Sequence, residues 1–428
     1  MTTTTLGRGG RALTTAPAAP SAPPPARTGD GRRRVDAVDV LRGLAMVLMA
    51  LDHTRDYFGD AAADPTNLGT AGTALFLTRW VTHFCAPVFF LLTGAGAALT
   101  LGRRTPADLS RFLLTRGLWL ALLDPTVLRA VLQFNLDYRV TILNVLWALG
   151  WSLVALSAVS RLPLRAVVAL GAGLVALHNV ADPVRPAAFG AWAPVWQVLH
   201  QPGIVYGLGP SGLGAHVVLL AYPLVPWIGV TALGFGLGRV FTWPAERRRA
   251  LLLRLGVGAT AAFVLVRALN GYGDPRPWAA QPTALRTALS FLNTTKYPPS
   301  LLFLLMTLGP ALLALRWLDG RLAAGRPLPV ALRPALVFGR VPLFYFLVHF
   351  ALIHLLAVAV SAVRFGAVRG MFESPTLDRY PVTQPPGWPV ALPWVYLAWA
   401  AVVVLAYPCC RWYGKLKARR AAGWMSYL

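Results

Sequence analysis

The sequence predicts an all-α protein, a polytopic bundle of about ten transmembrane helices with both termini in the cytoplasm. Three observations lead to this fold class. Hydrophobic residues make up 56% of the 428 positions and charged residues only 13%, which is typical of polytopic membrane proteins. The apolar residues form runs of roughly twenty, the length that crosses the hydrocarbon core of a bilayer. Lys and Arg concentrate in alternate loops, as the positive-inside rule requires.

The chain divides into a tail and a membrane domain. Residues 1–33 are rich in Thr, Ala, Pro, Gly and Arg and lack an apolar core, so we predict a disordered cytoplasmic tail. Residues 34–428 form the transmembrane domain. It contains the predicted spans 38–58, 74–100, 110–133, 140–160, 163–181, 214–240, 248–270, 300–318, 338–363 and 391–411.

The net charge of +24 is distributed in short clusters between the apolar runs. This pattern is typical of cytoplasmic loops that face anionic lipid headgroups, and it argues against a nucleic-acid-binding surface. Most loop acids, such as Asp60 and Asp274, fall in the opposite set of loops. The three cysteines, Cys85, Cys409 and Cys410, are interpreted as free thiols rather than as a disulfide or a metal site.

The first predicted helix carries ionisable groups at both ends of an apolar middle. Arg42 and His53 are eleven residues apart, which is almost three helical turns, so both lie on one face about 16 Å apart. Asp39 lies one turn before Arg42 on the same side. Unpartnered charges inside a bilayer cost a few kcal/mol or more. We therefore interpret this helix as the wall of a polar cavity.

The far end of this helix, Asp52-His53-Thr54-Arg55-Asp56, is a candidate catalytic cluster. A histidine that is oriented by a carboxylate can remove a proton from an amine or a hydroxyl. The alternative is structural, because a histidine at a helix end is often satisfied by a neighbouring carboxylate at the membrane interface.

Two further spans contribute candidate residues. In the second span, Arg79 and His83 are i,i+4 neighbours that share a face, and Pro87 is expected to kink the helix. In the span 338–363, Arg340 is expected to start the helix on the cytoplasmic side, which puts His349 near mid-membrane. A buried structural histidine is the alternative for His349. We interpret a weaker set as mainly structural: Asp124, Asn144, His216, Tyr222, Lys296 and His354.

The sequence contains no GxxxxGK(S/T) phosphate-binding loop, no HExxH or CxxC metal-binding motif and no GxSxG motif of a serine nucleophile. The candidate chemistry is therefore that of histidine, arginine and carboxylate. It suits acyl transfer by a general base without a metal, and it also suits a proton-coupled permease. The absence of a clear internal repeat counts against the permease.

Several segments carry a resemblance to a known group of membrane proteins. VDVLRGLAMVLMALDH (38–53), FLTRWVTHFCAPVFFLLTGAGA (76–97), AYPLVPWIGVTALGFGLG (221–238), KYPPSLLFLLMTLGP (296–310), FGRVPLFYFLVHFALIH (338–354) and YPCCRWYGKLKARRAAGWMSYL (407–428) resemble the bacterial DUF1624 membrane proteins. That family is grouped with the catalytic domain of heparan-alpha-glucosaminide N-acetyltransferase and with YeiB-like proteins. The first helix is also similar to that of type 3 membrane acyltransferases.

The resemblance implies a transmembrane acyltransferase in the bacterial cytoplasmic membrane. Its donor would be cytoplasmic acetyl-CoA or another acyl-CoA, and its acceptor an amine or a hydroxyl, for example on a sugar, on the outer side. In the lysosomal enzyme the active-site histidine lies in the loop after the first helix. The corresponding loop here, 59–73, contains no histidine, so that role does not transfer by position.

On this reading His53 is the general base, oriented by Asp52 or Asp56. Arg79 and His83 stabilise the oxyanion or orient the acyl group, and His349 lines the tunnel. Arg42, Arg104 and Arg340 are expected to bind the CoA phosphates at the cytoplasmic mouth, and Asp39, one turn before Arg42, is included among the cofactor-binding residues.

We expect membrane lipids, acyl-CoA and a small-molecule or glycan acceptor as partners, and leave a homodimer open. We expect no metal, no permanently bound cofactor and no nucleic acid. The alternatives are a proton-coupled permease or exporter and a non-catalytic membrane scaffold.

Overall fold

A computed structural model describes residues 1–3, 35–60, 63–101, 104–208 and 216–419. Most of the tail predicted over 1–33 lies outside these ranges. Fifteen α-helices occur in the described residues. They are α1 (Asp36–Phe58), α2 (Thr73–Thr82), α3 (Cys85–Leu99), α4 (Pro106–Leu123), α5 (Arg129–Gln133), α6 (Val145–Val159), α7 (Leu164–Leu177), α8 (Ala193–Leu199), α9 (Leu224–Val240), α10 (Ala245–Leu269), α11 (Ala284–Leu292), α12 (Leu301–Ala323), α13 (Arg333–Arg340), α14 (Pro342–Phe365) and α15 (Leu392–Arg419).

Six helical segments are long and apolar enough to cross a membrane, within the part of the chain described above. They are Thr73–Leu99, Leu164–Ala181, Ala245–Leu269, Leu301–Ala323, Pro342–Phe365 and Leu392–Arg419. Val145–Val159 and Leu224–Val240 are shorter apolar helices. The protein is therefore a mostly helical membrane protein. The count of ten spans and the cytoplasmic placement of both termini stay predictions.

A small sheet departs from the all-α prediction. Its strands are β1 (Val140–Leu143), β2 (Gly203–Leu208) and β3 (His216–Leu220), in the order β1-β3-β2. Strand β1 pairs with β3 in parallel, and β2 pairs with β3 in antiparallel. Two predicted spans, 140–160 and 214–240, thus begin as strands. The cause is local: β-branched residues such as Val140 and Val217 favour extended backbone.

Proline breaks two of the predicted spans. Pro87 has no N–H to give the carbonyl of His83, so α2 ends at Thr82 and α3 starts at Cys85. In the same way α13 ends at Arg340 and α14 begins at Pro342. Arg340 therefore ends a short helix, which corrects the expectation that it starts the long one.

Helix α1 lies at the centre of the bundle, where it contacts α3, α12, α13, α14 and α15. Its approach to α13 is very close. A Cβ added at Gly43 would lie 1.8 Å from the Ala335 carbonyl oxygen, and one at Gly339 would lie 1.8 Å from that of Asp39. Only glycine fits at these two positions, and the contact fixes α1 against the end of the chain that carries α14 and α15.

Candidate functional site

Two cavities lie end to end along α1. The first, the apolar cavity, has a volume of about 290 Å³, and the second, the charged chamber, has a volume of about 170 Å³. The two share four lining residues, Met49, Phe89, Val145 and Phe346. A single layer of side chains therefore separates them.

Asp52 is the centre of an ion cluster in the charged chamber. Its side chain is 10% exposed, and its carboxylate pairs with Arg79 of α2 and with Arg55 Nη2 at 3.0 Å. Lys296 Nζ, from the turn before α12, lies 3.7 Å away. Arg55 also pairs with Asp56 at 2.6 Å. Such a buried cluster is tolerated only because each charge has an opposite charge beside it.

His53 lines the charged chamber, but it is not oriented by Asp52 or Asp56 as expected. Its Nδ1 lies 2.8 Å from Nε2 of His349, and Phe350 stacks on its ring at 4.1 Å. His349 is fully buried behind it, 0% exposed, and lines neither cavity. The tunnel-lining position expected of His349 is thus taken by His53 and Phe346.

Hydrogen bonding fixes the tautomers of this histidine pair. The carbonyl oxygen of Tyr345 can only accept, so His349 Nδ1, 3.0 Å away, must be the donor. Nε2 of neutral His349 is then an acceptor, and His53 Nδ1 donates to it. Nε2 of His53 is left with a lone pair. This is the protonation state that a general base needs.

Arg79 and His83 have different surroundings in the structure. Arg79 lines the charged chamber and is paired with Asp52. His83 is 2% exposed, lies in the break between α2 and α3, and contacts Phe303 edge-on at 5.2 Å. His83 caps α2 with helical backbone angles (φ −60°, ψ −27°), but it does not line the charged chamber as Arg79 does.

Arg42 lines the apolar cavity at the end remote from His53. Its Nη1 donates to Asp39 at 2.8 Å and to the Gly339 carbonyl at 3.0 Å. Arg116 lines the same cavity. Arg116 was not among the site residues predicted from the sequence.

The other expected phosphate-binding residues lie further out. The Arg104 guanidinium lies 4.2 Å from the ring centre of Phe112, which itself lines the apolar cavity. Arg340 pairs with Asp36 at 2.9 Å and does not line the cavity.

Two tyrosines outside the predicted spans border the charged chamber. Burial by itself raises the pKa of Tyr297, but the neighbouring Lys296 and Arg79 cations outweigh it and lower the pKa below its usual value. Burial raises the pKa of Tyr380, so this hydroxyl stays protonated. Tyr222 lies 3.4 Å from Tyr297, oxygen to oxygen.

Lys296 is the main residue that the sequence analysis undervalued. It lies in a Pro-containing turn without helical periodicity, and its approach to Asp52 depends entirely on the tertiary fold. The signal that could have pointed to it is a single lysine in an otherwise apolar stretch, KYPPSLLFLL, at the start of a span.

The sequence was compared with models of known protein families. The catalytic family of heparan-alpha-glucosaminide N-acetyltransferase matches residues 34–269, more than half of the chain. The chain belongs to this family. No curated protein matches the sequence. The family match covers α1, with Arg42 and Arg55 near its two ends, and α2, whereas Lys296 and His349 lie beyond it. The heparan-alpha-glucosaminide N-acetyltransferase family supports an acetyltransferase-like function in a membrane.

Proposed function

We propose that the protein transfers an acyl group, acetyl in the first instance, from cytoplasmic acyl-CoA to an amine or hydroxyl acceptor on the outer side of the membrane. One observation carries the proposal above the rest. A histidine with a free Nε2 lone pair lines a charged chamber that is one side chain away from an apolar cavity with arginines at its other end.

The apolar cavity would receive the donor. Arg42 and Arg116 line it and would bind CoA phosphates, since arginine pairs well with phosphate oxygens. The pantetheine arm would follow the face of α1 towards His53, over the roughly 16 Å that separates eleven helical residues. The thioester would then meet the acceptor at the wall formed by Met49 and Phe346.

The charged chamber would carry out the transfer. His53 Nε2 takes the proton of the acceptor as its nitrogen or oxygen attacks the thioester carbonyl. The cations that line the chamber would provide the positive charge that stabilises the negative charge developing on the carbonyl oxygen. The C–S bond then breaks, and the CoA thiolate leaves and recovers the proton from His53. The acyl group ends on the acceptor, and neutral His53 is regenerated.

Purified protein in liposomes tests the proposal. Release of CoA thiol is measured with acetyl-CoA on one side of the liposome membrane and a panel of amino sugars and glycans on the other side. The proposal expects CoA release that depends on an acceptor. Proton-coupled uptake of a solute without any consumption of acyl-CoA would instead identify a permease. Activity in neither assay would favour a non-catalytic scaffold.

A further inference from the structure

The turn between α11 and α12 reaches the charged chamber and is held by several hydrogen bonds. It brings Lys296 to the chamber with its side chain only 9% exposed. Its Nζ lies 3.7 Å from Asp52 Oδ2, beyond the usual range of about 2.7–3.2 Å for a hydrogen bond. The ammonium is therefore close enough to be held by the carboxylate and still has donors to direct into the chamber.

Asp274 ties the turn together on both sides of Lys296. Its carboxylate accepts from the Thr295 backbone N–H at 2.8 Å, the Thr295 hydroxyl at 2.9 Å and the Ser300 hydroxyl at 2.6 Å. The Ser300 hydroxyl oxygen also caps α12 by accepting from the Phe303 N–H at 3.0 Å. One carboxylate thus fixes the residue before Lys296 and the start of the following helix.

Neighbouring elements hold the same turn from outside. His178 Nε2 lies 2.9 Å from the Pro299 carbonyl, and the Asn179 side chain accepts from the Leu301 N–H at 2.8 Å. Buried Arg267 donates to four carbonyls, among them that of Asn293 at 2.8 Å. A lysine side chain has four rotatable bonds, so its placement depends on a backbone that does not move.

We propose that Lys296 is a further catalytic residue, whose ammonium stabilises the oxyanion of the tetrahedral intermediate, and that Asp274 is the residue that positions it. The role of Lys296 rests on the acyl transfer proposed above. Arg79 is already committed to a direct pair with Asp52, whereas Lys296 is not within hydrogen-bonding distance of that carboxylate. Lys296 is therefore the cation that can turn towards a new negative charge without breaking an existing hydrogen bond.

Substitution of Lys296 tests the catalytic part. Lys296→Met keeps the length of the side chain and removes the charge, and kcat should fall by about 100-fold, the usual loss for an oxyanion donor. The KM for acyl-CoA should be unchanged, because the phosphates bind in the apolar cavity. Lys296→Arg should recover part of kcat. Turnover of Lys296→Met equal to that of the wild type would overturn this role.

Chemical labelling tests the positioning part without requiring any turnover. Methyl acetimidate, a small amine-specific reagent, is applied to the intact protein, and modification of Lys296 is followed by peptide mass spectrometry. Asp274→Asn replaces an acceptor by a donor that faces the Thr295 N–H, so the turn should loosen and Lys296 should be modified faster. Thr295→Val should do the same, and Thr295→Ser, which keeps the hydroxyl, should not.

Thr283→Val provides the matched control, because it removes the hydroxyl that caps α11 in the same region without touching the turn. An unchanged labelling rate in both Asp274→Asn and Thr295→Val would overturn the positioning role. If the wild type shows no acyl transfer, the function proposed above fails together with the catalytic role, while the labelling result still decides the role of Asp274.

Discussion

The apolar cavity and the charged chamber lie against the same helix and share four side chains, but the polarity of their linings differs. The apolar cavity is lined by aliphatic and aromatic residues, with Arg42 and Arg116 as its charged side chains. The charged chamber contains two carboxylates, three cations and His53. One can accommodate a long, thin ligand and neutralise its charged end, and the other can move a proton and stabilise charge.

This difference explains the ends of α1. A helix that only spanned lipid would not keep Asp39 and Arg42 at one end and Asp52 to Asp56 at the other. Here each end serves a different cavity, and the apolar middle forms the boundary between them at Met49. Substitutions on the two sides of that boundary should therefore have different consequences.

The largest effect is expected from removing Asp52 in the charged chamber, and it should appear in the free energy of unfolding. Asp52→Ala leaves Arg55, Arg79 and Lys296 together without their shared carboxylate, and breaking a buried pair costs about 3–5 kcal/mol. Thermal unfolding in detergent and monodispersity measure it. Glu373→Ala, which removes an i,i+4 pair whose Arg369 side chain is 92% exposed, is the control and should change little. Equal stability of the two variants would mean that the cluster is not a structural anchor.

The second-largest effect is expected from disrupting the pair of His53 and His349. His349→Phe removes the acceptor for His53 Nδ1, so the His53 tautomer is no longer fixed, and kcat should fall by about 100-fold. His349→Gln keeps an acceptor oxygen and should retain more activity. The two variants are compared by kcat and by unfolding temperature. Identical activity of the Phe and Gln variants would contradict the orienting role of His349.

On the apolar side, Ala97→Phe should act on binding alone. Ala97 lines the apolar cavity and is 6% exposed, so a phenyl ring there fills the path of the donor. The KM for acyl-CoA should rise by about tenfold, near 1.4 kcal/mol of lost binding, with kcat for bound donor little changed. Ala261→Phe on the exposed face of α10 is the matched control. An unchanged KM in Ala97→Phe would place the donor elsewhere.

The smallest effect concerns the arginines. Arg116→Gln should raise the KM for acyl-CoA by about fivefold or less, the size of a partly exposed ion pair, and the effect should shrink at high salt. Arg340→Gln should have a weaker effect, because Arg340 pairs with Asp36 and does not line the cavity. Arg254→Gln, on exposed α10, controls for net charge. A larger effect from Arg340 than from Arg116 would reverse our assignment of the cavity mouth.

Local patterns in the sequence predicted much of the helical framework. The first span, predicted over 38–58, is seen as Asp36–Phe58, because an apolar run bounded by charges is a local signal. Near Pro87, where a kink was expected, α2 and α3 are separated by two residues, His83 and Phe84, because proline removes a hydrogen bond of its own helix.

Contacts between distant segments could not be read from the sequence. His53 and His349 are 296 residues apart, and periodicity carries no information about which spans become neighbours. The near carboxylates, Asp52 and Asp56, were therefore the natural choice as orienters of His53. They instead pair with Arg55, Arg79 and Lys296, which are stronger charge partners than a neutral imidazole.

His53→Ala tests the central claim most directly, because His53 is the only residue to which we assign proton transfer. Acetyl-CoA binding by isothermal titration and acceptor-dependent CoA release are measured on the same preparation of variant and wild type. We predict unchanged binding and a loss of turnover of about 100-fold or more. Wild-type turnover in His53→Ala would contradict the account, whatever the two cavities look like.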